Sequence, residues 1–276
     1  MESVLYVVAT PIGNLGDMVP RAVQVLQSVD LIAAEDSRHS GILLRHFGIS
    51  TPVFPYHDHS DDRAVERIAR CMESGGSVAL ISDAGTPLIS DPGYRLLRHA
   101  HTVGWRVVPI PGASALVAAL SVAGLATDRF RFEGFLPAKS AGRLRCLEAL
   151  AREPVTLVFY EAPHRLLDSL NDMRLVFGGG RLVVLARELT KIYETVLRAP
   201  LDELISRVEA DANQSRGEIV LLVEGSSAAP TQLDADTERL LQMLAVELPP
   251  KKAAAIVAEH SGLPKKELYK WLVDRS

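Results

Sequence analysis

Cysteine is scarce in this sequence. Only 2 of its 276 residues are cysteines, Cys71 and Cys146, and each lies in a helix-like segment without the spacing of metal ligands. We therefore expect two buried free thiols and no metal site, as is usual in a reducing cytoplasm.

Long apolar runs and a strong net charge are also absent. No apolar run approaches the roughly 20 residues of a membrane helix. The first residues, Met1 to Ser3, lack the positive region and cleavage site of a signal peptide. We therefore expect a cytoplasmic protein with no membrane partner. The net charge is −4, so any nucleic acid must bind through local basic patches.

The two common nucleotide-binding motifs are absent as well. The sequence has neither the dinucleotide fingerprint G-x-G-x-x-G nor the lysine-containing phosphate loop. Their absence argues against a dehydrogenase and against a nucleotide hydrolase.

Apolar strand-like segments do alternate with helix-like segments through the first part of the chain. This alternation predicts a mostly parallel sheet with helices on both faces, in a first domain of residues 1–112. Polar clusters follow the strands, where such a fold binds its ligand. The predicted strands are residues 4–9, 31–34, 53–56, 78–81 and 106–110, and the predicted helices include 40–47, 62–74 and 115–123.

The pattern changes after residue 112. Residues 113–226 are predicted to form a mixed α/β domain with strands at 130–136, 155–160, 181–186, 193–197 and 217–223. The strands 181–186 and 193–197 lie close enough in sequence to pair antiparallel. Residues 226–230 read as a linker. Three helix-like pieces follow, so residues 231–276 are predicted to be a small helical unit.

One loop, residues 82–93, has a composition suited to binding a ligand. Gly85 and Gly93 permit positive φ and a close approach of ligand to backbone, and Pro87 and Pro92 stiffen the loop. It also carries two carboxylates at the end of a predicted strand. The alternative is a plain connection that caps the following helix.

The helical tail contains two similar helix starts. Pro250 and Pro264 are each followed by two lysines, Lys251 with Lys252 and Lys265 with Lys266. Lysines at exposed helix starts could contact a phosphate backbone. The alternative is a solvated surface, because the tail also contains acidic residues.

Six motifs occur in one order along the chain. They are Thr10-Pro-Ile-Gly-Asn-Leu15, Ala34-Glu-Asp-Ser-Arg38, Leu80-Ile-Ser-Asp-Ala-Gly-Thr-Pro-Leu-Ile89 with Asp91-Pro-Gly93, Pro111-Gly-Ala-Ser114, Glu133-Gly-Phe-Leu-Pro137 and Ala186-Arg-Glu-Leu-Thr-Lys191. Together they resemble the ribosomal RNA small subunit methyltransferase I family of the tetrapyrrole methylase superfamily.

The resemblance implies two α/β domains of the tetrapyrrole methylase type with a small C-terminal helical unit, assembled as a homodimer. It implies S-adenosylmethionine (SAM) as cofactor, bound between the two α/β domains. The implied activity is methylation of the ribose 2′-hydroxyl of a cytidine in the decoding region of 16S ribosomal RNA, within the small ribosomal subunit.

Specific site residues are also implied by the resemblance. The expected SAM contacts are Pro11, Gly13, Ser82, Asp83, Ala84, Gly85, Ile89, Ser114, Ala115, Phe132, Tyr160, Ala186, Leu189 and Gly217. The expected RNA contacts are Arg38, Lys139, Arg143, Lys251, Lys252, Lys265 and Lys266.

Transfer to a ribose hydroxyl benefits from a nearby proton acceptor. The candidates are Glu35, Asp36, His57, His59, Asp91 and Lys191, and the adjacent Glu35 and Asp36 are preferred because they follow a strand within a recognised motif.

Two other functions stay open at this point. One is a methyltransferase of the same superfamily that acts on a tetrapyrrole or another small molecule. The other is an RNA-binding module without catalysis.

Overall fold

The computed structural model describes residues 3–57, 62–227 and 235–274. Its contacts divide the chain into two compact units. One contains Met1–Glu148 and Val155–Glu224, and the other contains Ala149–Pro154 and Gly225–Ser276. The division of the first unit at residue 112 stays a prediction. His59 and most of the predicted 226–230 linker lie outside the described residues.

The first unit begins with a five-stranded sheet in which every pair is parallel, as the alternation predicted. Its order is β3-β2-β4-β1-β5. The strands are β1 (Val4–Val8), β2 (Leu31–Ala34), β3 (Val53–Pro55), β4 (Val78–Ile81) and β5 (Arg106–Ile110).

Helices cover both faces of this sheet, so β2 and β4 are buried at every residue. On one face, Ile32 and Ile81 pack with apolar residues of α1 (Pro20–Ser28) and α2 (Ser37–His46). On the other, Leu31 and Leu80 pack with residues of α3 (Asp62–Glu73) and α4 (Tyr94–Thr102).

The same unit contains a second, mixed sheet of order β6-β7-β10-β8-β9. The strands are β6 (Phe130–Phe135), β7 (Thr156–Glu161), β8 (Leu182–Arg187), β9 (Thr195–Pro200) and β10 (Ile219–Val223). The predicted antiparallel pairing of β8 with β9 is confirmed. The helices are α5 (Ala115–Ala123), α6 (Ser140–Leu150), α7 (Leu166–Phe177) and α8 (Leu201–Ala210).

The strand directions gather five strand ends at one edge of the second sheet. β6 and β7 are parallel, and β10 is antiparallel to both β7 and β8. The carboxyl ends of β6, β7 and β8 therefore meet the amino ends of β9 and β10. This edge supplies half of the candidate site.

The described part of the second unit contains the helices α9 (Ala235–Glu247), α10 (Pro250–Ser261) and α11 (Lys265–Val273). They share a small apolar core that includes Leu241, Val257 and Leu268. The four lysines at the starts of α10 and α11 are exposed. Among the described residues, no helix is both long enough and apolar enough to span a membrane.

Candidate active site

A cavity of about 330 Å³ lies where the loops after β1, β4 and β5 face the edge of the second sheet. Ligands of open α/β sheets bind at such strand ends. The cavity is lined by residues 84–86, 89–91, 114–115, 160–163 and 217–220, with Ile12, Phe135, Ala186 and Leu189.

The loops after β1, β4 and β5 are bonded to one another. Thr10 and Gly85 exchange backbone hydrogen bonds of 2.8 and 3.0 Å, and the Thr86 hydroxyl donates to the Ala113 carbonyl at 3.0 Å. Gly85 has φ of +83°, which favours glycine, and a Cβ there would lie 3.3 Å from Ile12 Cγ2. These hydrogen bonds hold the three loops of this side of the cavity together.

Two non-glycine residues of the 82–93 loop, Leu88 and Ser90, have positive φ of 74° and 66°. Such backbone is costly and is frequent at functional sites. The next residue, Asp91, lines the cavity. Burial raises the pKa of Asp91 to about 6, and the Glu35 and Asp83 carboxylates raise it further.

Glu35 and Asp36 connect the end of β2 to the loop after β4. The Asp83 amide donates to Glu35 Oε2 at 3.3 Å, and the Asp36 amide donates to Asp83 Oδ1 at 3.1 Å. Asp36 Oδ1 accepts from the Arg38 amide at 2.8 Å, which caps α2 and lowers the Asp36 pKa. The sequence pattern predicted a helix that begins at Ser40. The Asp36 cap explains why α2 begins at Ser37 instead.

Lys191 belongs to an ion-pair cluster. Its Nζ lies 2.7 Å from Glu188 Oε1 and 3.0 Å from Glu218 Oε2, and its side chain lies over Gly13. Burial lowers the pKa of Lys191, but hydrogen bonds to the two carboxylates outweigh it, so the pKa is raised. Lys191 is thus protonated at neutral pH and is unsuited to accept a proton.

An aromatic cluster forms the β6–β7 side of the cavity. The Leu116 amide donates to the Tyr160 hydroxyl at 3.2 Å. The ring of Tyr160 makes edge contacts with Phe132 at 4.9 Å and with Phe135 at 5.7 Å, measured between centroids. Phe132 packs against the core, whereas Phe135 lines the cavity.

The structure brings most of the predicted SAM contacts together. Those that line the cavity are Ala84, Gly85, Ile89, Ser114, Ala115, Tyr160, Ala186, Leu189 and Gly217. Those outside the lining are Pro11, Gly13, Ser82, Asp83 and Phe132. The preferred proton acceptors, Glu35 and Asp36, are also outside it, as are the candidates His57 and Lys191.

Several lining residues were missed. Phe135 lies within a motif that we had recognised, and residues 161–163 directly follow a predicted strand. Their position at a strand end was the signal that could have identified them.

One predicted RNA contact is wrong. The Arg143 side chain is 4% exposed, and its Nε lies 2.7 Å from Asp172 Oδ2. Arg143 also donates to the Ala138 carbonyl, and Ser140 donates to the same Asp172 oxygen. Arg143 therefore joins α6 to α7 in the interior. The other candidates, Arg38, Lys139 and the four tail lysines, are exposed.

Comparison with known proteins gives two family matches. Residues 4–205 match the family of tetrapyrrole (corrin/porphyrin) methylases, and residues 231–276 match the RsmI C-terminal HTH domain. Over 271 residues the chain is 55% identical to ribosomal RNA small subunit methyltransferase I of Escherichia coli O157:H7, covering 98% of this chain and 95% of that protein. The protein of that name from Pseudomonas aeruginosa is 56% identical over 273 residues, covering 98% and 97%.

The chain belongs to the ribosomal RNA small subunit methyltransferase I family. The solved structures agree with this family's fold. The methyltransferase CobJ has a TM-score of 0.60 at 19% identity, covering 85% of this chain and 98% of that one. Uroporphyrin-III C-methyltransferase from Thermus thermophilus, complexed with S-adenyl homocysteine, has a TM-score of 0.56 at 19% identity, covering 80% and 97%.

Proposed function

We propose that this protein uses SAM to methylate the ribose 2′-hydroxyl of a cytidine in the decoding region of 16S ribosomal RNA. The observation that carries the proposal is a cavity, built by the motif-bearing loops of one sheet against the strand ends of another. Membership of a family named for methylating ribosomal RNA supports the substrate.

The cavity suits SAM chemically. When bound, SAM supplies an electrophilic methyl group on a sulfonium ion. Ile12, Ala186 and Leu189 are buried and form an apolar wall suited to the adenine ring. The half-buried carboxylate of Asp91 is suited to the α-ammonium or the ribose hydroxyls. The 82–93 loop offers backbone amides to the carboxylate of SAM.

Glu35 is our proposed proton acceptor for the ribose hydroxyl. Its carboxylate is close enough to Asp91 to raise the pKa of that residue. Asp36 is less suited because it caps α2 and its pKa is lowered. Lys191 is protonated, and the His57 side chain is exposed.

RNA recognition is assigned to exposed basic residues of both units. Arg38 and Lys139 belong to the first unit, and the tail lysines belong to the helical unit. Sequence-specific RNA recognition usually targets nucleotides that are splayed out of a helix. We further propose that the protein acts in the cytoplasm as a homodimer.

The test offers labelled SAM with purified 30S subunits, free 16S RNA and a precorrin-type tetrapyrrole. We expect label only in RNA, and we expect mapping to place it on a cytidine ribose of the decoding region. Label in the tetrapyrrole alone would favour the small-molecule alternative. SAM binding with no transfer to any substrate would favour an RNA-binding module.

A further inference from the structure

Phe135 is unusual among the residues that line the cavity. Its side chain lies at the end of β6, and the residue is 55% exposed. By contrast, Ile12, Ala186, Leu189 and Val220 line the same cavity and are buried. A large aromatic ring is thus held at the solvent side of the cavity.

A β-bulge places the ring there. Side chains three residues apart on a regular strand point to opposite faces, so Phe132 and Phe135 should not share a neighbour. The register of β6 on β7 shifts between Phe132 and Gly134, and both phenylalanine rings then contact Tyr160. Bulges of this kind redirect side chains next to active sites.

The bulge depends on a glycine. Gly134 has φ of +66°, and a Cβ at that position would lie 3.3 Å from the Ser90 hydroxyl oxygen. The bulge therefore packs directly against the strained 82–93 loop, beside the carboxylate of Asp91. The Tyr160 ring supports Phe135 from inside, and the Tyr160 hydroxyl is itself fixed by the Leu116 amide.

We propose that Phe135 is the stacking platform for the base of the ribonucleotide whose ribose enters the cavity. This inference rests on the proposed function, because it takes single-stranded RNA as the ligand. Unstacked RNA bases stack well on exposed aromatic rings, and this stacking accepts any base. The buried apolar wall is the better place for the adenine of SAM, which leaves the exposed ring for the RNA.

The experiment compares three variants of the full-length protein. Phe135→Leu keeps an apolar side chain and removes the ring, and Phe135→Trp keeps a ring. Phe130→Leu is the matched control, since Phe130 is also exposed on β6 but pairs with Thr156 at the other end of the strand. Each variant is measured for kcat/KM on 30S subunits, SAM affinity by calorimetry, thermal unfolding and mass by light scattering.

We expect Phe135→Leu to lower kcat/KM by roughly five- to a hundredfold, the usual effect of losing one base–aromatic stack. SAM affinity, unfolding temperature and mass should match those of the parent protein. Phe135→Trp should keep most of the activity, and Phe130→Leu should keep all of it.

Four results would overturn the proposal. Unchanged kcat/KM in Phe135→Leu would mean that the ring does not bind substrate. A parallel loss of SAM affinity would place Phe135 in the cofactor site. A change in mass would mean that a second copy of the chain covers the ring. An equal loss in Phe130→Leu would indicate a structural effect.

Failure of the proposed function is recognised separately, because the parent protein would then transfer no methyl group to 30S subunits. In that case the fluorescence of Phe135→Trp is titrated with a cytidine-containing single-stranded RNA, with Phe130→Trp as control. Quenching of Phe135→Trp alone would support the platform, and no quenching would reject it.

Discussion

At the scale of single residues, Gly85 is a position where a side chain is poorly tolerated. Its φ of +83° disfavours any branched side chain, and its backbone joins the loops after β1 and β4. We predict that Gly85→Val abolishes measurable SAM binding in calorimetry while the protein stays folded.

The control for Gly85→Val is Gly104→Val. Gly104 has a similar φ of +78°, but open space surrounds its Cβ position and it is not among the cavity-lining residues. The Gly104→Val variant should have the strain of positive φ and still bind SAM with the affinity of the parent protein. SAM affinity of Gly85→Val within threefold of the parent protein would contradict the assignment.

The raised pKa of Asp91 predicts how SAM binding depends on pH. The pKa of its carboxyl is raised to about 6, and a cationic ligand prefers the ionised form. Affinity should therefore be constant above pH 7 and fall by up to about tenfold per pH unit as the pH drops below 6. Calorimetry from pH 5 to 8 measures this, and Asp91→Asn should lose the dependence.

The same carboxyl predicts a gain in stability on substitution. Because its pKa is higher in the folded protein than in the unfolded chain, Asp91 destabilises the fold above pH 6 and does not below about pH 4. Asp91→Asn should raise the free energy of unfolding by about 1 kcal/mol at pH 8, allowing for solvent screening. Urea denaturation should show this gain at pH 8 and no gain at pH 4. An equal gain at both pH values would mean that the ionisation of Asp91 is not its cause.

At the scale of secondary-structure elements, the two acidic residues before α2 are expected to have different roles: Asp36 caps the helix, and Glu35 accepts the proton. Asparagine caps helices as well as aspartate does, so Asp36→Asn should keep α2 intact and keep methyl transfer within a few-fold. Glu35→Gln should keep SAM binding and lower transfer by roughly a hundredfold or more. Single-turnover transfer with labelled SAM measures both. Normal transfer by both variants would place the proton acceptor elsewhere.

The pairing of α6 with α7 predicts a loss of stability. Arg143→Met leaves the buried carboxylate of Asp172 without its cation, which should lower the free energy of unfolding by about 3–5 kcal/mol. Arg145→Met, two residues further along α6 and exposed, should change it little. Urea denaturation measures both. Unchanged stability with weaker RNA binding would restore Arg143 as an RNA contact.

At the scale of the whole molecule, the helical unit is predicted to bind RNA without entering the chemistry. Replacing Lys251, Lys252, Lys265 and Lys266 with Gln removes up to four phosphate contacts. Each lost contact should flatten the plot of log affinity against log salt by roughly 0.7–0.9. SAM affinity and thermal stability should barely change, because exposed lysines contribute little to folding.

Binding of 30S subunits and of RNA fragments at several salt concentrations measures this slope. The control changes Arg21, Arg45, Arg98 and Arg207, which are exposed residues of the first unit, to Gln. This control variant removes the same amount of positive charge. Its slope of log affinity against log salt should stay closer to that of the parent protein. An unchanged slope in the lysine variant would mean that those lysines form only a solvated surface.

Local patterns determined much of this protein. The ten strands of the described residues were predicted to within a few residues, because apolar alternation and turn residues act over short distances. The parallel first sheet followed from the alternation of strands and helices, and the β8–β9 pair followed from its short connection. Nine of the expected SAM contacts line one cavity because the strand ends and loops that carry them meet there.

Only the tertiary structure decided the roles that depend on distant neighbours. The sequence predicted that Arg143 is an exposed RNA contact. In the structure it faces Asp172, 29 residues later, in the interior. The pKa of Asp91 depends on burial and on carboxylates from two other positions. Phe135 faces the cavity because a bulge turns its side chain to the opposite face of β6, and the one-residue register shift that does so is fixed by the pairing of β6 with β7.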